Sequence, residues 1–320
     1  MNPVLHTQNL TKRFGDLTAV DHLTIEVFEG EVFGFLGPNG AGKTTSLNMM
    51  CGLLKPDEGQ VFLHGKPVHN GDNQSRARVG VCPQEIVLWE RLTCLEQLQF
   101  MGQMYGLRER EARRRSEHLL EELDLVEKRN KQARTLSGGM QRRLNLAMAL
   151  VHDPDLLVLD EAEAGLDPQS RVKVREYIQS LAKQKTIILT THNMDEAERV
   201  ADRVAIIDHG QLLVLDTPRA LKERVGGGDV LEIGLAYLPD EATIQTVRDK
   251  LHERLGPSLN QQLVDAQSHM LMVRALNAVG NLPLILETIA TAGLQAGEVH
   301  LRENSLEDVF IQLTGRRLRE

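Results

Sequence analysis

Short apolar runs alternate with longer amphipathic stretches along the first two thirds of the chain. "EVFGFLG", "RVGVCPQ", "DLLVLDE", "TIILTTH" and "RVAIIDHG" read as strands buried on both faces. The helical stretches between them predict an α/β domain with a mainly parallel sheet up to about residue 220. "VGGGD", Val225 to Asp229, breaks the pattern, because successive glycines lower the cost of a bend. Beyond it, "DVLEIGLA" predicts a strand, Asp240 to Leu255 a helix, and "QQLVDAQSHMLMVRA" two strands around a polar turn. A helix from about Leu282 to Ala292, the strand "AGEVHL" and a helix from Ser305 complete a small α+β domain of ferredoxin-like order. The expected organisation is a domain over residues 1–224, a linker over 225–229 and a second domain over 230–320.

Composition narrows the function classes. A formal charge of -8 and a pI near 5.8 argue against a nucleic-acid-binding surface. The local exception, "RERE" followed by "ARRR" over Arg108 to Arg115, alternates acids with bases and is expected to be a solvated helix face. Three cysteines, Cys51, Cys82 and Cys94, have no metal-ligand spacing and suit reduced thiols in a cytosolic protein. No stretch approaches the roughly 18 apolar residues of a membrane helix, and the start "MNPVLHTQNLTKRFG" lacks the apolar core of a signal peptide. Any membrane span is therefore expected from a partner.

Two short segments carry the chemistry. "GPNGAGKTT" follows a predicted strand and matches G-x-x-x-x-G-K-[ST]. The loop of Gly37, Pro38, Asn39, Gly40, Ala41, Gly42, Lys43, Thr44 and Thr45 is expected to wrap phosphate oxygens, every residue but Pro38 having a main-chain N–H to offer them. Lys43 would reach the β- and γ-phosphates and Thr44 would offer a hydroxyl to Mg²⁺. "LDEAEAGLDP" places adjacent acids at the end of the apolar run "DLLVLD". Coupled to the phosphate loop, Asp160 suits a Mg²⁺ ligand and Glu161 an acceptor for the proton of an attacking water.

Further motifs occur in a fixed order: "CPQ" with Gln84, "LSGGMQ" from Leu136 to Gln141, "GLDP" from Gly165 to Pro168, and "TTH" with His192. Together with the phosphate loop and the acidic strand, they resemble ATP-binding cassette (ABC) ATPases over residues 4 to about 220. The resemblance implies a cassette with a helical subdomain over about 88–155, ATP and Mg²⁺ as ligands, and head-to-tail closure of two cassettes. The second cassette would be another copy or a paralogue. Ser137, Gly138 and Gly139 of one cassette, with Asp167, would meet the nucleotide on the other. Gln84 would complete the Mg²⁺ and water shell and His192 would hydrogen-bond the γ-phosphate. Phe14 would stack on adenine, with Val20 beside it.

The chain departs from the family where Ala162 and Glu163 replace the usual Pro and Ser or Thr. A carboxylate at 163 is expected to add negative charge near the γ-phosphate and oppose closure. "VLWERLTCLEQLQFMGQMYGL", Val87 to Leu107, resembles the stretch that forms a groove for a helix of the membrane subunit, making Trp89, the only tryptophan, a candidate contact. "NSLEDVFIQLTGR", Asn304 to Arg316, resembles the ending of ABC-2 type exporter cassettes. The resemblance implies the ATPase subunit of an ABC-2 type exporter, peripheral on the inner face of the membrane through its permease. The alternative is a soluble cassette ATPase acting on a ribosome or DNA complex, but such proteins typically carry paired cassettes or long coiled-coil insertions. A GTPase is disfavoured because "NKQA", Asn130 to Ala133, lacks the acid of N-K-x-D.

Overall fold

The computed structural model describes residues 3–68, 77–182, 184–224, 228–256, 259–265 and 269–314. The chain divides into two compact units between Thr217 and Pro218.

In the first unit the strands are β1 (Pro3–Phe14), β2 (Leu17–Leu23), β3 (Glu26–Phe28), β4 (Val32–Leu36), β5 (Glu58–Leu63), β6 (Lys66–Pro67), β7 (Val79–Cys82), β8 (Leu156–Asp160), β9 (Thr186–Thr191), β10 (Arg203–Asp208) and β11 (Gln211–Asp216). One sheet has the order β11-β10-β4-β9-β8-β7 and is parallel except at its β11 edge. The continuous apolar runs are required because β4, β8 and β9 are buried along their whole lengths. A second, antiparallel sheet of β1, β2, β3, β5 and β6 lies over it. It was not foreseen: its one-sided burial makes alternating rather than continuous apolar positions. Its inner residues Leu5, Leu10, Val20 and Val61 share a core with Phe33, Phe35, Val158 and Ile188.

Helix α1 (Lys43–Met50) follows β4. Between β7 and β8 stand α2 (Cys94–Met104), α3 (Glu109–Glu122) and α4 (Gly138–Leu150). The box joining Thr93 and Glu96 caps α2. α3 buries Ala112, Ser116, Leu119 and Leu120 and turns its charged residues outward, with Arg113 and Glu117 paired one turn apart, as a solvated face should. Helices α5 (Pro168–Leu181) and α6 (Met194–Val200) complete the unit.

Helix α7 (Pro218–Arg224) belongs to the second unit rather than to the first, where the sequence had placed it; Asn304 donates to its Lys222 carbonyl. Then come β12 (Asp229–Leu235), α8 (Glu241–Leu255), β13 (Leu259–Asp265), β14 (Met270–Ala275), α9 (Ala278–Thr291), β15 (Ala296–Arg302) and α10 (Leu306–Thr314). The antiparallel order β13-β14-β12-β15 with its βαββαβ succession is ferredoxin-like. α9 starts earlier than expected, tolerating Pro283 near its start. Val225, Gly226 and Gly227 of the expected linker, Ala266, Gln267 and Ser268 of the expected polar turn, and Gly315 and Arg316 of the terminal motif lie outside the described residues.

Candidate functional site

The phosphate loop joins β4 to α1 and is shaped by glycine. Gly42 has φ +98°, and a Cβ there would stand 2.3 Å from the Ala19 carbonyl, so no other residue fits. A Cβ on Gly37 would meet the Ile207 carbonyl at 2.4 Å. The loop closes on itself and on the neighbouring turn, Ala41 N–H donating to Pro38 O and Gly210 N–H to Ala41 O. Asn39, Gly40 and Thr44 are exposed and Thr45 half-buried. The Lys43 ammonium is buried and donates to the Gly37 and Pro38 carbonyls at 2.7 and 3.0 Å. Burial lowers its pKa, against the raising influence of Glu161 and Asp160. A buried cation held by loop carbonyls, beside the exposed Asn39–Gly40 turn and the N-terminus of α1, suits the phosphates of a nucleotide.

The end of β8 brings the acids to this loop. Asp160 accepts from the Thr44 hydroxyl at 3.1 Å and from the Thr190 hydroxyl at 2.5 Å. A carboxylate touching a hydroxyl is a donor set of hard oxygens, which fits Mg²⁺. Glu161 is 7% exposed, has φ +47°, and its N–H donates to the Thr190 carbonyl and hydroxyl. Its carboxylate gathers three segments: Gln84 Nε2 donates at 2.9 Å, His192 Nδ1 lies at 3.2 Å, and Lys43 Nζ stands 4.0 Å away. The expected residues Lys43, Gln84, Asp160, Glu161 and His192 thus form one cluster. Thr190 was not foreseen; its position opposite Asp160 in the paired strand β9 is the signal that only strand register supplies.

Ser137 caps α4, accepting from Met140 N–H at 3.4 Å, and Ser137 and Gly138 are exposed. Gly139 is covered: a Cβ would lie 2.2 Å from Ser170 Oγ. Asp167 caps α5, accepting from Gln169 and Ser170 N–H groups; the Ser170 hydroxyl first, and then those N–H groups, lower its pKa.

Two expectations are corrected. The Val20 side chain is fully buried in the core between the sheets and offers nothing to a ligand; what this strand sets against Gly42 and Gly210 is main chain, the Ala19 carbonyl. Glu163 is not a bare charge: Arg175 of α5 holds it with Nη2–Oε2 at 2.7 Å and Nε–Oε1 at 3.3 Å, the side chains being 10% and 17% exposed. The repulsion anticipated from its charge is therefore neutralised locally. Phe14 is 51% exposed at the β1–β2 turn with the Lys12 ammonium 5.6 Å from its ring centroid, an open face for stacking.

Known proteins resemble this chain along most of its length. Residues 20–164 match the family described as ABC transporter. The Nod factor export ATP-binding protein I of Ralstonia nicotianae is 41% identical over 319 residues, 99% of this chain and 96% of that protein. The linearmycin resistance ATP-binding protein LnrL of Bacillus subtilis is 34% identical over 318 residues, 99% of this chain and all of that protein. Among solved structures, the ATP-binding subunit of an ABC transporter superposes with a TM-score of 0.64 at 28% identity, covering 70% of this chain and 93% of that one. A dimeric cassette in a post-hydrolysis state, bound to ADP and Pi, gives 0.61 at 26% identity over 67% of this chain and 98% of that one. The chain belongs to the ABC transporter family and is one of its ATP-binding and ATP-hydrolysing cassettes.

Proposed function

We propose that this cassette powers export through a separate membrane permease of the ABC-2 type, with Glu161 as the general base of ATP hydrolysis. The observation that carries the hydrolytic reading is the convergence of Gln84, His192 and Lys43 on the Glu161 carboxylate. With nucleotide in the loop, Lys43 turns from the Gly37 and Pro38 carbonyls to the β- and γ-phosphates, exchanging neutral acceptors for charged ones. Gln84 and His192 leave the carboxylate for the water and the γ-phosphate, and Glu161 takes the proton of the attacking water. Mg²⁺, held by Thr44 and Asp160, would neutralise charge on the phosphate oxygens. The base stands at a strand end fixed by Thr190 and the carboxylate is nearly buried, so it holds its position without reorganisation in water.

The exposed Ser137–Gly138 turn at the start of α4 presents N–H groups that suit the γ-phosphate on a second cassette. Phe14 would receive the adenine. Export is supported by the two relatives named for export and resistance, which match along nearly the whole chain. Among the described residues no helix is long and apolar enough to cross a membrane, so the span would come from the permease. Trp89 and Phe100 stack edge to face at 5.1 Å yet remain 41% and 44% exposed, with Val87 and Met104 open beside them. That apolar patch suits the permease helix.

The test is Glu161→Gln. Nucleotide binding should persist, turnover should fall about 10²- to 10⁴-fold, and an ATP-bound dimer should accumulate. Near-parental turnover would remove Glu161 from the role of base. For the permease, Val87→Glu should abolish co-purification with a co-expressed ABC-2 permease while leaving ATP binding intact.

A further inference from the structure

Arg142 is the largest of the fully buried side chains, 2% exposed, and it stands on α4 one turn beyond the Ser137–Gly139 segment. A buried guanidinium normally needs a carboxylate, yet all five N–H groups of this one go to main-chain carbonyls. Nη1 donates to Pro83 O at 2.6 Å and Gln84 O at 3.0 Å. Nη2 donates to Asp160 O at 3.0 Å and Glu161 O at 2.7 Å, and Nε donates to Ala162 O at 2.8 Å. One planar fork therefore clamps the Gln84 segment and three successive peptide groups around Glu161 to the helix that begins with Ser137.

The backbone at Glu161 explains why a clamp is needed. Its φ of +47° is left-handed, a conformation that a residue with a Cβ holds only when its surroundings over-determine it. The Thr190 contacts fix its N–H, and Arg142 fixes the carbonyls on either side. The Glu161 side chain can point at Gln84, His192 and Lys43 only while that turn persists.

We propose that Arg142 is a positioning residue for hydrolysis: by holding the carbonyls of Gln84 and Glu161 from α4, it ties the aim of the base to the placement of the Ser137–Gly139 turn. Engagement of that turn by the second cassette's nucleotide would then be transmitted, through one rigid side chain, to the base and glutamine of the same chain. With all five N–H groups committed to carbonyls, the guanidinium acts through the main chain. The proposal rests on the reading of Glu161 as general base.

Arg142→Lys tests it, because a lysine keeps the charge but presents three N–H groups from one atom and cannot span the two segments. Binding of a fluorescent ATP analogue and KM for ATP should stay near the parental values, since Lys43 and its loop are untouched. The kcat should fall about 10- to 100-fold, the scale of a misplaced reacting group. The decisive measurement is single-turnover hydrolysis in Arg142→Lys, Glu161→Gln and the double variant. If Arg142 acts through Glu161, the double variant is no slower than Glu161→Gln alone. Losses that multiply, a parental kcat in Arg142→Lys, or a loss of ATP binding in proportion to kcat would each overturn the proposal. Parental turnover in Glu161→Gln would instead overturn the general-base reading, which keeps the two failures apart. Should Arg142→Lys not fold, Arg142→Gln is measured against the same outcomes.

Discussion

Replacing Arg175 with methionine should destabilise the ATPase unit far more than replacing its partner Glu163 with threonine. Arg175 and Glu163 are 17% and 10% exposed and joined by two hydrogen bonds, and Glu196 of α6 stands near enough to act electrostatically on the same guanidinium. Removing the cation leaves the nearly buried Glu163 without its partner and next to the charge of Glu196, which keeps only Arg171 as a neighbouring cation; removing Glu163 leaves Arg175 with Glu196. Breaking a fully buried pair costs about 3 to 5 kcal/mol, and the residual exposure here brings Arg175→Met to about 2 to 3 kcal/mol. Glu163→Thr should cost about 1 kcal/mol.

Proton linkage gives the prediction a second arm. Burial, then the charge of Glu163, raises the pKa of Glu196, while the Thr191 hydroxyl, Arg171 and lastly Arg175 work to lower it. Without Arg175 it rises further. A carboxyl whose folded-state pKa is raised binds its proton more tightly when folded, so stability is retained at low pH and lost as pH rises through that pKa. The Arg175→Met deficit should be largest at pH 8 and smaller at pH 5. Urea unfolding followed by Trp89 fluorescence reports on the right unit, since the only tryptophan lies in it. A deficit equal at both pH values, or a larger loss in Glu163→Thr, would refute the reasoning.

Lys43→Ala should weaken ATP binding itself, unlike Glu161→Gln, because the cation facing the phosphates is gone; nucleotide titration separates the two. Gly42→Ala forces a Cβ to 2.3 Å from the Ala19 carbonyl at φ +98°, so it should cost more than about 1 kcal/mol and abolish nucleotide binding, read by thermal melting with and without ATP. Ser137→Arg should retain ATP binding and lose turnover, and mixing it with Lys43→Ala should restore one composite site; unimpaired turnover in the serine variant would sink the trans arrangement.

The phosphate loop, the acidic strand end and the buried parallel strands were legible in the sequence because each is local: a glycine pattern, adjacent carboxylates, an unbroken apolar run. The ferredoxin-like unit was legible for the same reason, from alternation and helical spacing over Asp229 to Thr314. Contacts between distant segments were not. Val20 looks from its position like a residue that could meet the nucleotide, and only the packing of two sheets commits its side chain to the core. Glu163 looks like an uncompensated charge until α5 brings Arg175 to it across twelve positions of chain. Arg142 reads as one more basic residue on a helix; its five carbonyl partners come from segments up to 59 positions away and exist only once α4, β7 and β8 are packed together. Local patterning determined which groups the chain has for phosphate chemistry, and long-range packing decided how they are aimed, because hydrogen-bond direction and charge compensation depend on distances that linear order does not carry.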